Sequence, residues 1–312
     1  MSRIATMSYP AHTKIVIKTG QVVPLALLAL LSGTAIIGTV PIFVRLSELG
    51  PTATGFWRLG LALPLLWLWL ACANSDEPQP HRLAKGNKYL WLFVAGVCLA
   101  GDVTLFNQAL ESTSVTNATL LINTFPVFVA IGAWMLFGER ITPGFVMGLS
   151  IALAGAAILV GSTFSVSLEN ILGDGLALSA AILTAGFTLG MKQIRSYFSV
   201  SVGLAGSGTV TGLVLLMLSG LFGESLIPTS LSGWLPLLGL ALISHIGGQS
   251  LITYALAYLP ASSASICYLM QPVVAAVLAW VILQEPLGAW QAVGGAIVLG
   301  GITLAQRSRH LS

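Results

Sequence analysis

The stretch Gly101–Gly155, GDVTLFNQALESTSVTNATLLINTFPVFVAIGAWMLFGERITPGFVMGLSIALAG, has a counterpart later in this chain, at Gly247–Gly301. Shifted by 146 positions, the two stretches align without a gap and are identical at 15 of 55 positions. The matched residues include types that set helix kinks, membrane-interface anchors and close helix contacts: Pro126/Pro272, Trp134/Trp280, Glu139/Glu285, Gly148/Gly294 and Gly155/Gly301. Duplication at this long period indicates the architecture of the chain before its chemistry.

The composition identifies the solvent in which this chain folds. Of the 312 residues, 56% are hydrophobic and 7% are charged. Soluble domains carry about 25% charged residues. The chain is therefore predicted to be a polytopic membrane protein.

Apolar runs long enough to span a membrane recur along the whole chain. Eighteen or more residues, at ~1.5 Å each, cross a hydrocarbon core of ~30 Å. Segments such as LPLLWLWLA and VFVAIGAWMLF are apolar on all sides, whereas barrel strands alternate in polarity. We predict an all-α polytopic membrane protein with ten transmembrane helices: 22–45, 52–72, 88–110, 114–137, 143–162, 172–192, 199–222, 232–256, 260–284 and 287–306.

The distribution of positive charge predicts the orientation. Of 13 Lys and Arg residues, only Arg45 and Arg58 lie away from one side of the membrane. The positive-inside rule places the other eleven in or near the cytoplasm. Both termini are then cytoplasmic, as a segment at 1–21 and a tail at 307–312. The net charge of +3 comes mostly from these flanks, so no nucleic acid partner is predicted.

The repeat and the helix count together predict an inverted symmetry. Ten helices divided into two halves of five, 22–163 and 172–306, enter the membrane in opposite directions because five is odd. Ser32/Ser179 and Arg45/Lys192, at an offset of 147, pair the first helix with the sixth. Inverted five-helix repeats are typical of secondary transporters that work by alternating access.

Four strings resemble the EamA-type repeats of the drug/metabolite transporter superfamily: FWRLGLALPLL, FGERITPGFVMGLSIALAGAAILVG, GDGLALSAAILTAGFTLG and LQEPLGAWQAVGGAIVLGGITLA. The resemblance covers nearly all of residues 22–306, and within the superfamily the chain is most similar to bacterial aromatic amino acid exporters. It implies a ten-helix carrier of the bacterial inner membrane that exports amino acids or other metabolites.

Three ionisable residues lie within predicted spans, where a charge is costly and must face protein or water. Asp102 is either a proton or substrate-ammonium site or a structural acid, and its repeat partner, Gly248, cannot share that role. His245 lies at a similar depth and is either a titrating group or a structural one. Arg58 is either a structural brace or a clamp for a substrate carboxylate.

Further polar and aromatic residues in the spans predict a substrate cavity, although each alone is also explained as a bond between helices. These cavity candidates are Asn107, Gln108, Asn123, Phe187, Gln249, Tyr254, Tyr268 and Gln271. In this hypothesis Phe187, Tyr254 and Tyr268 receive the substrate side chain. Pro126 and Pro272 are candidates for helix kinks that take part in gating, or for static bends. Trp57 is a structural residue or lies near the entrance.

We therefore predict a secondary transporter that exports small metabolites, foremost aromatic or neutral amino acids, by alternating access. The alternatives are a transporter of drugs or other metabolites and an intramembrane lipid-processing enzyme. HExxH, GxSxG and P-loop motifs do not occur, so neither catalysis nor direct ATP drive is predicted. The three cysteines lack CxxC spacing. No cofactor and no metal are expected, and the expected partners are a small-molecule substrate and membrane lipid, with the chain as a monomer.

Overall fold

A computed structural model describes residues 19–72, 87–160, 170–282, 284 and 288–310. The regular elements within these ranges are all helical. Residues 1–18, residues 73–86 of the predicted cytoplasmic connection, Glu285 and the last two residues of the tail lie outside the described residues.

In the part of the chain that the structure describes, ten helical segments are long and apolar enough to cross a membrane, which confirms the predicted number. No boundary differs from the predicted one by more than two residues. In chain order, spans 1 to 10 are Val23–Leu46, Pro51–Cys72, Lys88–Ser112, Thr116–Phe137, Pro143–Val160, Ile171–Ile194, Val200–Leu221, Trp234–Leu256, Ala261–Ile282 and Ala289–Ser308. The chain is thus an all-α, multi-pass membrane protein.

Five of the spans consist of more than one helix. Span 1 contains α1 (Thr19–Ile37) and α2 (Val40–Leu46); span 2 contains α3 (Pro51–Gly60) and α4 (Ala62–Cys72). Span 3 is α5 (Lys88–Ser112), and span 4 contains α6 (Val115–Ile122) and α7 (Phe125–Phe137). Spans 5, 6 and 7 are α8 (Pro143–Val160), α9 (Ile171–Ile194) and α10 (Val200–Leu221). Span 8 contains α11 (Trp234–Gly239), a π-helix (Leu240–Gln249) and α12 (Ser250–Leu256). Span 9 contains α13 (Ala261–Cys267) and α14 (Met270–Ile282), and span 10 is α15 (Ala289–His310).

The interruptions of spans 4 and 9 fall at matching places in the repeat. Span 4 breaks at Asn123–Thr124, just before Pro126, and span 9 breaks at Tyr268–Leu269, just before Pro272. Proline lacks a backbone N–H, and its ring clashes with the carbonyl four residues earlier, which belongs to Ile122 in span 4 and to Tyr268 in span 9. The sequence therefore sets both breaks locally.

Glycines allow spans 5 and 10 to touch along their backbones. A Cβ on Gly148 would lie 2.7 Å from the Gly301 carbonyl oxygen, and one on Gly155 would lie 2.9 Å from the Gly294 oxygen. Gly148 matches Gly294 in the repeat, and Gly155 matches Gly301, so each contact maps onto the other when the halves are exchanged. This reciprocity is consistent with the inverted repeat, which stays a prediction.

Contacts between span ends define two ends of the bundle. At the first, the ends of spans 6 and 8 meet through Lys192, so we call it the Lys192 end. At the second, the end of span 7 meets the start of span 2 through Glu224, and we call it the Glu224 end. The positive-inside rule predicts that the Lys192 end is cytoplasmic.

Candidate functional site

Arg58, on α3 of span 2, is the hub of a polar group inside the bundle. Its guanidinium interacts electrostatically with Asp102 of span 3, with His245 of span 8 and with Tyr268 of span 9. The Arg58 Nε atom is buried and has no hydrogen-bond partner among the described residues. With Thr184 and Gln249, introduced below, these four residues form what we call the central cluster.

Asp102 comes from the middle of α5, ten residues before its end at Ser112 and thus about 15 Å deep. The Thr184 hydroxyl of span 6 lies beside this carboxylate but donates its proton to the Ala180 carbonyl at 2.9 Å. Asp102 Oδ1 is buried and unpartnered within the described part of the chain. The neighbouring Gly101 lets spans 3 and 6 approach, since a Cβ there would lie 2.7 Å from Leu183 Cδ1.

His245 and Gln249 lie on the π-helical segment of span 8 and are 2% and 4% exposed. π-Helical turns are rare and occur often at functional sites. Both ring nitrogens of His245 and Nε2 of Gln249 lack partners among the described residues. Gly248 packs this segment against span 1, because a Cβ there would lie 3.0 Å from the Gly33 carbonyl oxygen.

Tyr268 lies at the break of span 9 and is 8% exposed. Phe125, which follows the break of span 4, packs edge-on against the Tyr268 ring at 5.5 Å between centroids. The two interrupted helices therefore meet at their breaks. The Gln249 side chain lies beside the Tyr268 hydroxyl, which is buried and has no partner of good hydrogen-bond geometry in the described ranges.

A cavity of about 410 Å³ opens at the Glu224 end, between spans 2, 3 and 7. Its lining residues are Gly50, Pro51, Thr52, Thr104, Asn107, Gln108, Glu111, Phe222 and Glu224. Thr104 is two residues from Asp102, about 3 Å along the helix. Residues two apart face nearly opposite sides of an α-helix, so the cavity reaches nearly the depth of Asp102 but on the opposite face of α5. Asn107 and Gln108 line it rather than join the central cluster.

The remaining candidates lie elsewhere. The Asn123 side chain donates to the Thr119 carbonyl of its own helix at 2.8 Å. Tyr254 packs against Tyr258 with 5.1 Å between ring centroids. Trp57 Nε1 donates to the Leu226 carbonyl at 2.6 Å, and its ring packs edge-on against Trp234 at 4.8 Å. Phe187 belongs to the apolar core, and Gln271 and Pro272 are half-buried near the start of α14.

Two charged side chains hold the connection between spans 8 and 9 at the Lys192 end. Lys192 Nζ donates to the carbonyls of Leu256 and Leu259 at 2.8 and 2.7 Å. Glu139, at the end of span 4, accepts from the backbone N–H groups of Ala261 and Ser262 at 2.7 and 3.1 Å, and from the Ser262 hydroxyl.

Each charge suits the helix end that it meets, because a helix N-terminus favours an anion and a C-terminus favours a cation. Lys192 and Glu139 also interact electrostatically with each other. We call this arrangement the Lys192–Glu139 clamp. In the sequence, Glu139 is distinguished only as a matched residue of the repeat, and no local pattern identifies its partner on span 9.

At the Glu224 end, acidic side chains again meet backbone N–H groups. Glu224 accepts from Thr52 and Ala53, at 3.3 and 2.6 Å, at the start of span 2. The exposed Glu48 accepts from the side chains and backbones of Thr229 and Ser230. The Ser230 and Thr229 hydroxyls, followed by the backbone donors, lower the pKa of Glu48 from 4.5 to about 2.

Two other features do not add to the site. A surface depression of about 540 Å³ is lined by Trp134 and residues 138–141, which belong to one stretch at the end of span 4. It contains no member of the central cluster. In the described ranges, no group of three His, Cys, Asp or Glu side chains is arranged to hold a metal ion.

Comparisons with known proteins agree with this architecture. A "Probable terminal-alkyne amino-acid exporter" of Streptantibioticus cattleyicolor is 30% identical over 258 residues, covering 81% of this chain and 85% of that protein. An "Uncharacterized transporter" of Archaeoglobus fulgidus is 29% identical over 280 residues, covering 86% of this chain and 93% of that protein.

A solved crystal structure matches with a TM-score of 0.74 and 20% sequence identity, covering 90% of this chain and 98% of that one. At that identity the likeness shows the fold alone. The EamA-like transporter family matches residues 24–161 and 171–306, which are the two halves of the bundle. This chain therefore belongs to the EamA-like transporter family, within the drug/metabolite transporter superfamily.

Proposed function

We propose that this protein is a secondary transporter that exports small zwitterionic metabolites, foremost aromatic or neutral amino acids, across the bacterial inner membrane by alternating access. One observation carries the proposal. Arg58 and Asp102 lie in the same cluster, and each keeps a buried polar atom without a partner in the described part of the chain. An α-amino acid presents a carboxylate and an ammonium group, which match these two charges.

The energetics support a binding role for these charges. Ionisable groups inside spans are rare and mostly functional, because desolvation makes them costly. A buried polar group without a partner costs about 1–3 kcal/mol. A substrate that satisfies Arg58 with its carboxylate and Asp102 with its ammonium group recovers this cost. Arg also offers a planar fork of donors suited to a carboxylate.

The access route supports the same proposal. The cavity opens at the Glu224 end and reaches Thr104, about 3 Å along α5 from Asp102, whereas the clamp holds the Lys192 end together. With the Lys192 end in the cytoplasm, this arrangement corresponds to an outward-open carrier. The glycine-rich faces of spans 5, 6 and 7 pack against other spans of the same chain, which supports a monomer as the working unit.

The relatives favour transport over enzymatic activity, since both are named as transporters or exporters. The name of the Streptantibioticus relative supports an amino acid as the substrate class. At 30% identity the substrate-binding residues of the two proteins can differ, so we infer from this relative only the class of substrate, amino acids, and not one particular amino acid.

The test is flux in proteoliposomes that contain the purified protein, using a panel of labelled amino acids with and without a pH gradient. We expect saturable flux of aromatic or neutral amino acids. Asp102→Asn should lower kcat/KM about 10- to 100-fold, since a charge-assisted hydrogen bond is worth about 1.5–3 kcal/mol.

Asp174→Asn is the matched control, because Asp174 bonds Thr113 and Asn117 at the Glu224 end, away from the central cluster. It should retain flux. Absence of saturable flux for every amino acid, or equal flux in Asp102→Asn and the wild type, would contradict the proposal.

A further inference from the structure

In addition to Arg58 and Asp102, three polar side chains on spans 8 and 9 are buried. His245, Gln249 and Tyr268 are 2%, 4% and 8% exposed. Both His245 ring nitrogens lack hydrogen-bond partners among the described residues, and Gln249 Nε2 and the Tyr268 hydroxyl lie beside each other without a hydrogen bond of good geometry. Nearly all buried polar atoms in folded proteins have a partner, so a group of four exceptions at one place requires an explanation.

The backbone around these residues is shaped to bring them together. His245 and Gln249 are one turn apart on the π-helical segment, which span 1 supports through the Gly33–Gly248 approach. Tyr268 lies at the break of span 9, and Phe125 holds its ring edge-on. Both segments depart from ordinary α-helix where they carry these groups. Such departures within spans are tolerated where they line a cavity or are packed in protein.

The three side chains adjoin the charges that the proposed function assigns to the backbone of an amino acid. His245 and Tyr268 both interact with the Arg58 guanidinium, and Gln249 lies beside the Tyr268 hydroxyl. Asp102 contacts Thr184, on span 6. A ligand whose carboxylate meets Arg58 and whose ammonium group meets Asp102 would therefore extend its side chain toward spans 8 and 9.

We propose that His245, Gln249 and Tyr268 form a side-chain subsite that selects amino acids whose side chains end in a hydrogen-bonding group, such as tyrosine or glutamine. The subsite rests on the proposed amino acid transport. It disfavours phenylalanine and methionine, which resemble tyrosine and glutamine in size but leave the buried donors and acceptors unpaired. Sites that hydrogen-bond a substrate hydroxyl reject the analogue without it more strongly than apolar sites reject an added methylene.

The experiment compares kcat/KM for tyrosine against phenylalanine, and for glutamine against methionine, in proteoliposomes. We expect the hydrogen-bonding member of each pair to be favoured about tenfold or more. Tyr268→Phe keeps the ring that packs on Phe125 and removes only the hydroxyl. It should reduce the tyrosine preference at least about threefold, with phenylalanine flux nearly unchanged. Gln249→Met, of similar length, should reduce the glutamine preference.

Tyr258→Phe is the control, because Tyr258 follows α12 and its ring packs on Tyr254. It should keep the wild-type ratios. Equal kcat/KM within both pairs, or ratios that Tyr268→Phe and Gln249→Met leave unchanged in protein of wild-type thermal stability, would overturn the subsite alone. No flux of any amino acid would overturn the proposed function, and the subsite with it.

Discussion

The two ends of the bundle use the same chemistry with different degrees of enclosure. At both ends a glutamate accepts backbone N–H groups at the start of a span: Glu139 at span 9 and Glu224 at span 2. Among the described residues, the Lys192 end adds a lysine on the C-terminal carbonyls of a neighbouring span. The Glu224 end instead has a cavity that reaches Thr104. Acidic helix caps therefore occur at both ends, whereas the clamp belongs to the Lys192 end.

Accessibility of single cysteines measures this difference. In a background with Cys72, Cys98 and Cys267 changed to Ser, Thr104→Cys reports the Glu224 end because Thr104 lines the cavity. Thr253→Cys reports the Lys192 end. Thr253 is 0% exposed and lies one turn beyond Gln249 toward that end.

The largest effect is expected from Lys192→Met. This change removes two charge-assisted hydrogen bonds. Each is worth about 1.5–3 kcal/mol when fully buried, and solvent screening at the partly exposed Lys192 side chain reduces that contribution. The Lys192 end should open more often, and the labelling rate of Thr253→Cys should rise at least about tenfold.

Lys88→Met provides the control at the same end, since the Lys88 ammonium lies over the rings of Tyr89 and Phe198, at 5.2 and 5.5 Å from their centroids. It should leave the Thr253→Cys rate near the parental value. Equal Thr253→Cys labelling rates in the two lysine variants would contradict the proposal that Lys192 keeps the Lys192 end closed.

A smaller effect of the same direction is expected from Glu139→Gln. The amide keeps one acceptor oxygen for Ala261 or Ser262 but loses the charge, which costs about 1 kcal/mol and gives a roughly fivefold rise in Thr253→Cys labelling. Because Glu139 and Lys192 hold one connection, the double variant should fall short of the product of the single effects. Full multiplicativity would show that the two side chains act separately.

Glu224→Gln should change stability rather than access. The substitution weakens the bonds to Thr52 and Ala53 and should lower the free energy of unfolding by about 1 kcal/mol. A fall of a few degrees in Tm is expected in a thermal scan in detergent. The Thr253→Cys labelling rate should stay unchanged. A rise in that rate comparable with the rise in Glu139→Gln would contradict the proposed difference between the two ends.

Glu48→Gln should have the smallest effect, and that effect should depend on pH only under strongly acidic conditions. Because the pKa of Glu48 is lowered to about 2, its ionised form stabilises the fold above its unfolded pKa of about 4.5. That contribution declines as pH falls from 4.5 through 2. The Tm difference between the wild type and Glu48→Gln should be constant from pH 5 to 8, and a difference that varies there would contradict the assignment.

The spans, and the breaks of spans 4 and 9, could be predicted from sequence because the causes are local. Hydrophobic length sets the spans, and the missing N–H of Pro126 and Pro272 sets the breaks. The rotation of each helix is not local. These helices are apolar on nearly all sides, so the pattern does not indicate which face turns inward. Asn107 follows Asp102 by five residues yet lines the cavity, and Asn123 bonds its own helix.

Three features of the site escaped prediction for related reasons. The π-helical segment packs against span 1 at Gly248, and this contact between distant parts of the chain is not visible in the sequence. Thr184 looked like any threonine in an apolar helix, because its contact with Asp102 depends on how spans 3 and 6 pack. The clamp joins spans 4, 6, 8 and 9, and such a meeting of helix ends follows only from the tertiary fold.

The most direct test of alternating access is the effect of transported amino acid on the labelling rates of Thr104→Cys and Thr253→Cys, measured in the same membranes. Without substrate, Thr104→Cys should react faster than Thr253→Cys. Saturating amino acid on both sides should slow the first and accelerate the second, because the two ends open in alternation. Rates that rise or fall together, or that do not respond to any transported amino acid, would contradict the account.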